Sequence, residues 1–220
     1  MVGAAGTVSV VYVPSLNAVD DPTVIVGLLR TAGVGHLVST TDSQLDATML
    51  PLLVDDEMTS LRAHIARANP HWRTLDDASA LMIVPVTDAY VSPSWYPSKA
   101  DDPRVVPTWN YEVVHVHGTV TLRHDAEFVV RVVRDLTDLH EIDRTRSQQN
   151  PPAWSVDDAP TEFIERQLRA IVGIEIAIDR VDAKRKLSQN RSATDRTGVI
   201  AGLRGADRQR GAAVADAMER

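Results

Sequence analysis

The 220 residues contain no cysteine. That excludes disulfides, thiolate metal sites and a cysteine nucleophile. Aromatics are scarce at 5%, with only two Phe, so a core must come mostly from Val, Leu, Ile and Ala. No apolar run approaches the roughly 18 residues of a membrane span. The opening Met1-Val2-Gly3-Ala4-Ala5-Gly6 lacks a basic stretch followed by an apolar run, so it does not read as a signal peptide, and a cytoplasmic protein is expected. Positive charge is also short: 23 Lys and Arg stand against 30 Asp and Glu, a net charge of −7. Nucleic-acid binders usually concentrate the opposite sign. The local exceptions are Lys184-Arg185-Lys186 with Arg191 and Arg196, and Arg204, Arg208 and Arg210. They read as a DNA-touching tail, as a solvated helix surface, or as cations facing a phosphate or carboxylate.

What is present is 44% apolar content, enough for one domain with a real core. Asp21-Pro22 predicts a helix start, with Val24, Ile25, Leu28 and Leu29 as its apolar face and Gly33 as its stop. Strands are predicted over Val34–Thr40, Ala47–Val54, Leu61–Ala68 and Ala80–Val86. Asn69 to Arg73 reads as a turn into a short helix. The clearest strand is Thr108–Arg123, where Val114, Val116, Val120 and Leu122 alternate with His115, His117, Thr119 and Thr121. A long amphipathic helix follows Asp125, and Thr145 to Pro152 reads as a loop. A second helix after Pro160 should turn Phe163, Ile164 and Leu168 inward. Ile171–Val181 is a strand with Val172, Ile174, Ile176 and Ile178 on one face. The chain from about Thr194 is helical. The expected fold is mainly β with peripheral helices (α+β): one β-barrel domain over residues 1–220 with a helical extension over about 194–220.

Three runs carry residues that a plain barrel does not need: Ala63 to Trp72, Tyr90 to Lys99, and Val106 to Tyr111. They hold three of the four Trp, interleaved with prolines and cations. Prolines break ladders and cations resist burial, so the runs read as a wall around a planar, anionic ligand.

These runs resemble the PaiB family of FMN-binding split barrels. The matching segments are Tyr12-Val13-Pro14, Ala47 to Leu53, His64 to Trp72, Ser92 to Tyr96, Val106 to Tyr111 and Lys186 to Arg191. The resemblance implies a six-stranded split barrel, a homodimer and a ligand pocket at the dimer interface. Two segments depart from the family pattern: Val34-Gly35-His36 where Pro-Phe-Ala is usual, and Val86-Thr87 where Gly-Pro is usual. A branch of the family resembles piperazate synthases, which bind haem b and close an N–N bond in N5-hydroxyornithine. The departures favour that branch: a haem-dependent cyclase of an N-hydroxylated diamino acid. The alternatives are a PaiB-like FMN-binding transcriptional regulator, with DNA as a partner, and a split-barrel flavin oxidoreductase.

On this reading His64 is the haem iron ligand, a neutral imidazole near Arg62 and Arg67; otherwise it is a structural histidine. Arg67 and Asn69, at a strand end, suit the acidic group of a cofactor. Trp72, Trp95 and Trp109 are flat groups suited to stacking on it. Tyr96 and Tyr111 are candidate proton carriers, and Lys186 and Arg191 candidate holders of a substrate carboxylate. His115 is a cofactor contact and the second choice for the iron. It lies about 7 Å from His117 on one strand face, with no carboxylate placed to complete a bare metal site.

Overall fold

The computed structural model describes residues 11–147, 152–206 and 209–220, except the side chains of residues 143–147 and 209. Seven strands are described: β1 (Ala18–Val19), β2 (Val34–Thr41), β3 (Gln44–Val54), β4 (Ser60–Ala66), β5 (Ser79–Val91), β6 (Thr108–Arg123) and β7 (Ile171–Lys186). Five helices accompany them: α1 (Pro22–Ala32), α2 (Ala126–Ser147), α3 (Thr161–Leu168), α4 (Ala193–Gly205) and α5 (Gln209–Glu219). The sheet order is β1-β7-β4-β3-β2-β5-β6, and β6 pairs with β7 as well. Six strands thus close a hydrogen-bonded ring. The two-residue β1 is the seventh, paired with β7 through Ala18 with Lys184 and Val19 with Ala183. This is the split-barrel architecture, mainly β with peripheral helices.

The chain divides into two compact units, each drawn from separate stretches of sequence. The larger comprises Asp21–Val86 and Val113–Val181. In it Asp21 caps α1, accepting a hydrogen bond from the Thr23 amide at 2.8 Å. Gly33 ends α1 at φ 66°, in the left-handed conformation that glycine adopts at many helix stops. β2 and β3 form one hairpin closed by Thr41 opposite Gln44, with Asp42 and Ser43 at φ 50° and 65°. Both central residues at positive φ suit the right-handed twist of the strands, which is why pairing runs past the expected ends at Thr40 and Ala47. The core is built from alternate residues of each strand: Leu37 on β2, Leu52 on β3, Leu61 and Ile65 on β4, Met82 on β5, Val114, Val116 and Val120 on β6, Ile174 and Ile176 on β7.

Three local expectations are corrected. β4 stops at Ala66, not Ala68, because the Asn69 amide already turns back onto the Ala66 carbonyl at 2.9 Å. α2 continues through Ser147, since neither Gly nor Pro interrupts it before that point; the rest of the expected loop, apart from Pro152, lies outside the described residues. α3 buries nothing: Phe163 is 43% exposed and packs under the Arg166 guanidinium, 5.6 Å from its ring centre. The stripe of Phe163, Ile164 and Leu168 has helical spacing but no fully covered residue.

The smaller unit comprises residues up to Asp20, Thr87–Glu112 and Asp182–Arg220. It holds β1, one end each of β5, β6 and β7, and the helices α4 and α5. Its core is Val91, Tyr96, Leu187, Val199, Leu203, Val214, Ala215 and Met218. The expected C-terminal extension is therefore half of a core. Its alanines are small residues of a packed helix pair: Ala215 and Ala217 are buried.

Candidate functional site

The expected site residues fall into the two units. His64, Arg67, Asn69, Trp72 and His115 belong to the larger one. Tyr96, Tyr111, Lys186, Arg191, Trp95 and Trp109 belong to the smaller.

In the larger unit, β4 alternates strictly, so Leu61, Ala63 and Ile65 point to the core and Arg62 and His64 to the other face. Arg62 donates to Asp135 on α2 at 2.9 Å. His64 is half-buried, and its Nδ1 is covered without a hydrogen-bond partner. Burial pushes its imidazole below the ordinary value, so the ring is neutral at neutral pH. Arg67 reaches across to the α3–β7 junction, donating to the carbonyls of Arg169 and Ile171 at 3.1 and 3.2 Å. Asn69 caps the turn Pro70–Thr74: its Oδ1 accepts from the His71 amide at 3.0 Å, and its Nδ2 donates to Thr48 Oγ1 at 3.1 Å. Trp72 Nε1 donates to the Arg67 carbonyl at 2.9 Å, and its ring meets His124 edge-on at 5.9 Å. This run is thus tied both to itself and to β3 and the start of β7. Its unexpected centre is His71, 2% exposed, whose ring nitrogens lie 2.9 Å from Ser39 Oγ and 2.9 Å from Thr48 Oγ1. His115 points away from the core on β6. Among the described residues, no group of three or more potential ligands could hold a metal ion.

The smaller unit gathers its residues around two cavities. The first, of about 830 Å³, has walls of Tyr90, Trp95 and Trp109, with Leu203 at its apolar side and Asp88 and Arg210 among its lining. Tyr90 and Trp109 meet edge-to-face, 6.1 Å between centres at 75°. Trp95 is seated against α4 at Gly202, where a Cβ would come within 2.3 Å of the indole. Glycine is the residue that allows this approach. Arg210 pairs with Asp88 at 3.0 Å with 77% of its side chain exposed. A planar ring could stack on one of these partly exposed aromatic rings, and an exposed ion pair is cheap to exchange for a ligand anion.

The second cavity, of about 140 Å³, is lined by Tyr96, Thr108, Asn110, Lys186, Ser188 and Arg191, among others. Lys186 Nζ donates to Thr108 Oγ1 at 2.5 Å and to the Trp109 carbonyl at 2.6 Å. The Arg191 guanidinium lies over the Tyr96 ring, 4.5 Å from its centre. Burial pushes the Lys186 ammonium below its ordinary value; Tyr111 acts the other way, and the like charges of Lys184 and Arg191 add to the lowering. Tyr111 lies under Lys184, 5.3 Å from ring centre to Nζ, and 6.0 Å from Lys186 Nζ. The structure therefore brings Tyr96, Lys186 and Arg191 to one cavity, with Tyr111 beside their cations. Trp95 and Trp109 line the other.

Sequence reasoning missed the buried pair Asn110 and Glu112, 0% and 1% exposed. The signal was present: both fall in phase with Val114 and Val116 on the inward face of β6. Glu112 accepts from Arg185 Nε at 2.6 Å, and Asn110 Oδ1 accepts from Ser188 Oγ at 3.1 Å. Arg210, grouped in the sequence with the cations of the C-terminal tail, is the one of them that lines the first cavity among the described residues.

Comparison with known proteins adds a family. A domain family described as "Putative FMN-binding domain" matches residues 11–180. The protease synthase and sporulation protein PAI 2 of Bacillus subtilis is 30% identical over 211 residues, covering 94% of this chain and 96% of its own. An uncharacterized protein of Emericella nidulans is 28% identical over 225 residues, with 87% and 90% covered. Of solved structures, an FAD- and haem-binding protein from Mycobacterium smegmatis superimposes with a TM-score of 0.56 at 17% identity, over 82% of this chain and 78% of that one. A conserved hypothetical protein from Mycobacterium tuberculosis does so with a TM-score of 0.57 at 13% identity, over 82% and 92%. At such identities the likeness is one of fold.

Proposed function

This chain belongs to the PaiB-like family of FMN-binding split barrels, and from that premise we propose that it is an FMN-binding protein whose flavin ring lies in the aromatic cavity of the smaller unit. The observation that carries the reading is the wall of Tyr90, Trp95 and Trp109 around about 830 Å³. That falls in the range of small-molecule and cofactor sites, roughly 300–1,000 Å³. The donor set fits as well: flat rings for the isoalloxazine, and an exposed Arg210 that can leave Asp88 for a phosphate. Bound flavin supplies one- and two-electron chemistry. The chain's part is to stack on the ring, shield one face from water and hold the anionic end. The Bacillus relative is named for protease synthesis and sporulation, which favours a regulatory role here. The homodimer expected from the resemblance belongs to this proposal.

The test is titration of flavin-free protein with FMN, read by tryptophan quenching and visible absorption. Wild type should bind one FMN per chain. Trp109→Ala should weaken binding by about 0.5–1.5 kcal/mol, the usual worth of an aromatic pair beyond its area. Full affinity in both Trp109→Ala and Trp95→Ala would remove the ring from this cavity.

A second reading is favoured by one specific observation, the His64 imidazole. It is neutral and has a covered nitrogen without a hydrogen-bond partner, which is the chemistry of an iron ligand. Haem b held by His64 is the basis of the finer proposal, a cyclase that closes an N–N bond in an N-hydroxylated diamino acid such as N5-hydroxyornithine. The M. smegmatis neighbour binds both FAD and haem, which supports keeping haem in view. Titration with haem alongside FMN separates the two. A haem spectrum that is lost in His64→Ala would favour the second reading over the first.

A further inference from the structure

Lys184, Lys186 and Arg191 form a group of three cations in the smaller unit. Each is engaged by neutral groups. Lys184 Nζ donates to the Tyr12 carbonyl at 3.0 Å and lies over the rings of Tyr12 and Tyr111. Lys186 meets a hydroxyl and a carbonyl, and Arg191 lies on a phenol ring. Among the described residues, none of the three forms an ion pair with a carboxylate. In a chain with an excess of acids this is unusual, because like charges placed together cost energy unless something offsets them. The acid that feels Arg191 is Asp195, but both its oxygens are occupied by Ser98, through the backbone amide at 3.1 Å and the hydroxyl at 2.8 Å.

The donors confirm the imbalance. An ammonium has three N–H donors and a guanidinium five. Lys186 spends two, and no described acceptor takes a hydrogen bond from the Arg191 guanidinium. Tyr96, 3% exposed, lines the same cavity, and its hydroxyl is covered with no partner. Buried polar groups are nearly always satisfied, so such a hydroxyl points to a missing acceptor.

We propose that the cavity between Lys186, Arg191 and Tyr96 is a binding site for a small oxyanion, a carboxylate or a phosphate, distinct from the aromatic cavity. The anion would take the free N–H groups of Arg191 and the remaining one of Lys186. About 140 Å³ leaves room for one such group and little else. The alternation of β6 separates the two cavities: Thr108 and Asn110 line this one, and Trp109, on the opposite face, lines the other. The proposal therefore stands whether or not flavin binds.

The experiment is calorimetric titration of the whole chain with sodium phosphate and, separately, sodium acetate, with sodium chloride balancing the ionic strength. We expect saturable binding of at least one of the two, one per chain; which one binds tells phosphate from carboxylate. Arg191→Met keeps the stem over Tyr96 and removes the charge. It should weaken binding about tenfold or more, the worth of a charge-assisted hydrogen bond. Tyr96→Phe keeps the ring under Arg191 and should also weaken it, with an unchanged circular dichroism spectrum. No saturable binding of either anion to wild type would overturn the proposal. So would unchanged affinity in a folded Arg191→Met protein. If Arg191→Met weakens FMN but not riboflavin, while phosphate and acetate do not bind wild type, the site is the flavin's own phosphate site and the independent one is refuted.

Discussion

Replacing Arg185 by Met should unfold the smaller unit more readily than any surface change nearby. Glu112 is 1% exposed, and Arg185 Nε meets its Oε1 at 2.6 Å. The next cation, Arg220, stands 3.6 Å from Oε2, too far for a hydrogen bond, with 61% of its side chain exposed. Two unit charges about 4 Å apart attract by about 4 kcal/mol at an effective dielectric of 20. Stranding one partner of a buried pair typically costs about 3–5 kcal/mol. Arg220 can swing closer and recover part of this, so the low end, about 3 kcal/mol, is expected. In a chain of this size that lowers Tm by roughly 2–4 °C per kcal/mol, or about 6–12 °C. Arg185 also donates to the Ala217 carbonyl at 3.1 Å, and that bond is lost in any Arg185 variant. The double variant Glu112→Met, Arg185→Met therefore separates the effects. With the stranded carboxylate gone, it should be more stable than Arg185→Met alone. Urea denaturation followed by circular dichroism measures all three. A cost below about 1 kcal/mol for Arg185→Met, or a double variant no more stable than the single, would refute the reasoning.

Gly202→Ala pits two effects against each other: helix propensity gains about 1 kcal/mol, but a methyl within 2.3 Å of the Trp95 indole overpacks α4. Overpacking costs typically 1–3 kcal/mol, so a net fall in Tm is expected, with altered Trp95 fluorescence. Asp55 caps the β3–β4 turn. Burial raises its pKa, but hydrogen bonds from the amides and hydroxyls of Thr59 and Ser60 outweigh that and leave it below the ordinary value. Its stabilisation is thus complete above the unfolded value of about 3.9 and is lost as pH falls through the lower folded value. In urea midpoints measured against pH, Asp55→Asn should be less stable than wild type at neutral pH, with the gap closing in acid. Light scattering should give the mass of a dimer, and a monomer at all concentrations would count against the homodimer.

The barrel was legible because its strands keep period two: β6 runs over the expected residues, and β7 starts where Ile171 predicts. β7 runs past its expected end at Val181 into Asp182-Ala183-Lys184-Arg185-Lys186, which are mostly charged. The strand continues there because Arg185 has Glu112 to meet and Ala183 has β1 beside it. Charge in a strand signals an end only when no partner is supplied from elsewhere in the chain, and a single sequence does not show that. The candidate site was legible as chemistry, not as geometry. The aromatic runs were identified, but Arg67 and Asn69 read as cofactor anchors because their own acceptors, the carbonyls near Arg169 and the hydroxyl of Thr48, lie far away in sequence. The cation cavity shows the reverse. Lys186 and Arg191 are five residues apart, yet Tyr96 and Thr108 come from a loop and a strand about 80 to 95 residues earlier.

The interleaving of the two units has a consequence for the order of synthesis. Tyr90, Trp95 and Trp109 leave the ribosome long before Leu203 and Arg210, which complete their cavity. At about 5–20 residues per second, the interval is on the order of 5–20 s. For that time the nascent chain carries three large aromatics beside strand ends whose unit cannot yet close. Chaperone demand should therefore peak during translation of the second half of the chain, and slowing elongation there should lower soluble yield more than slowing it earlier.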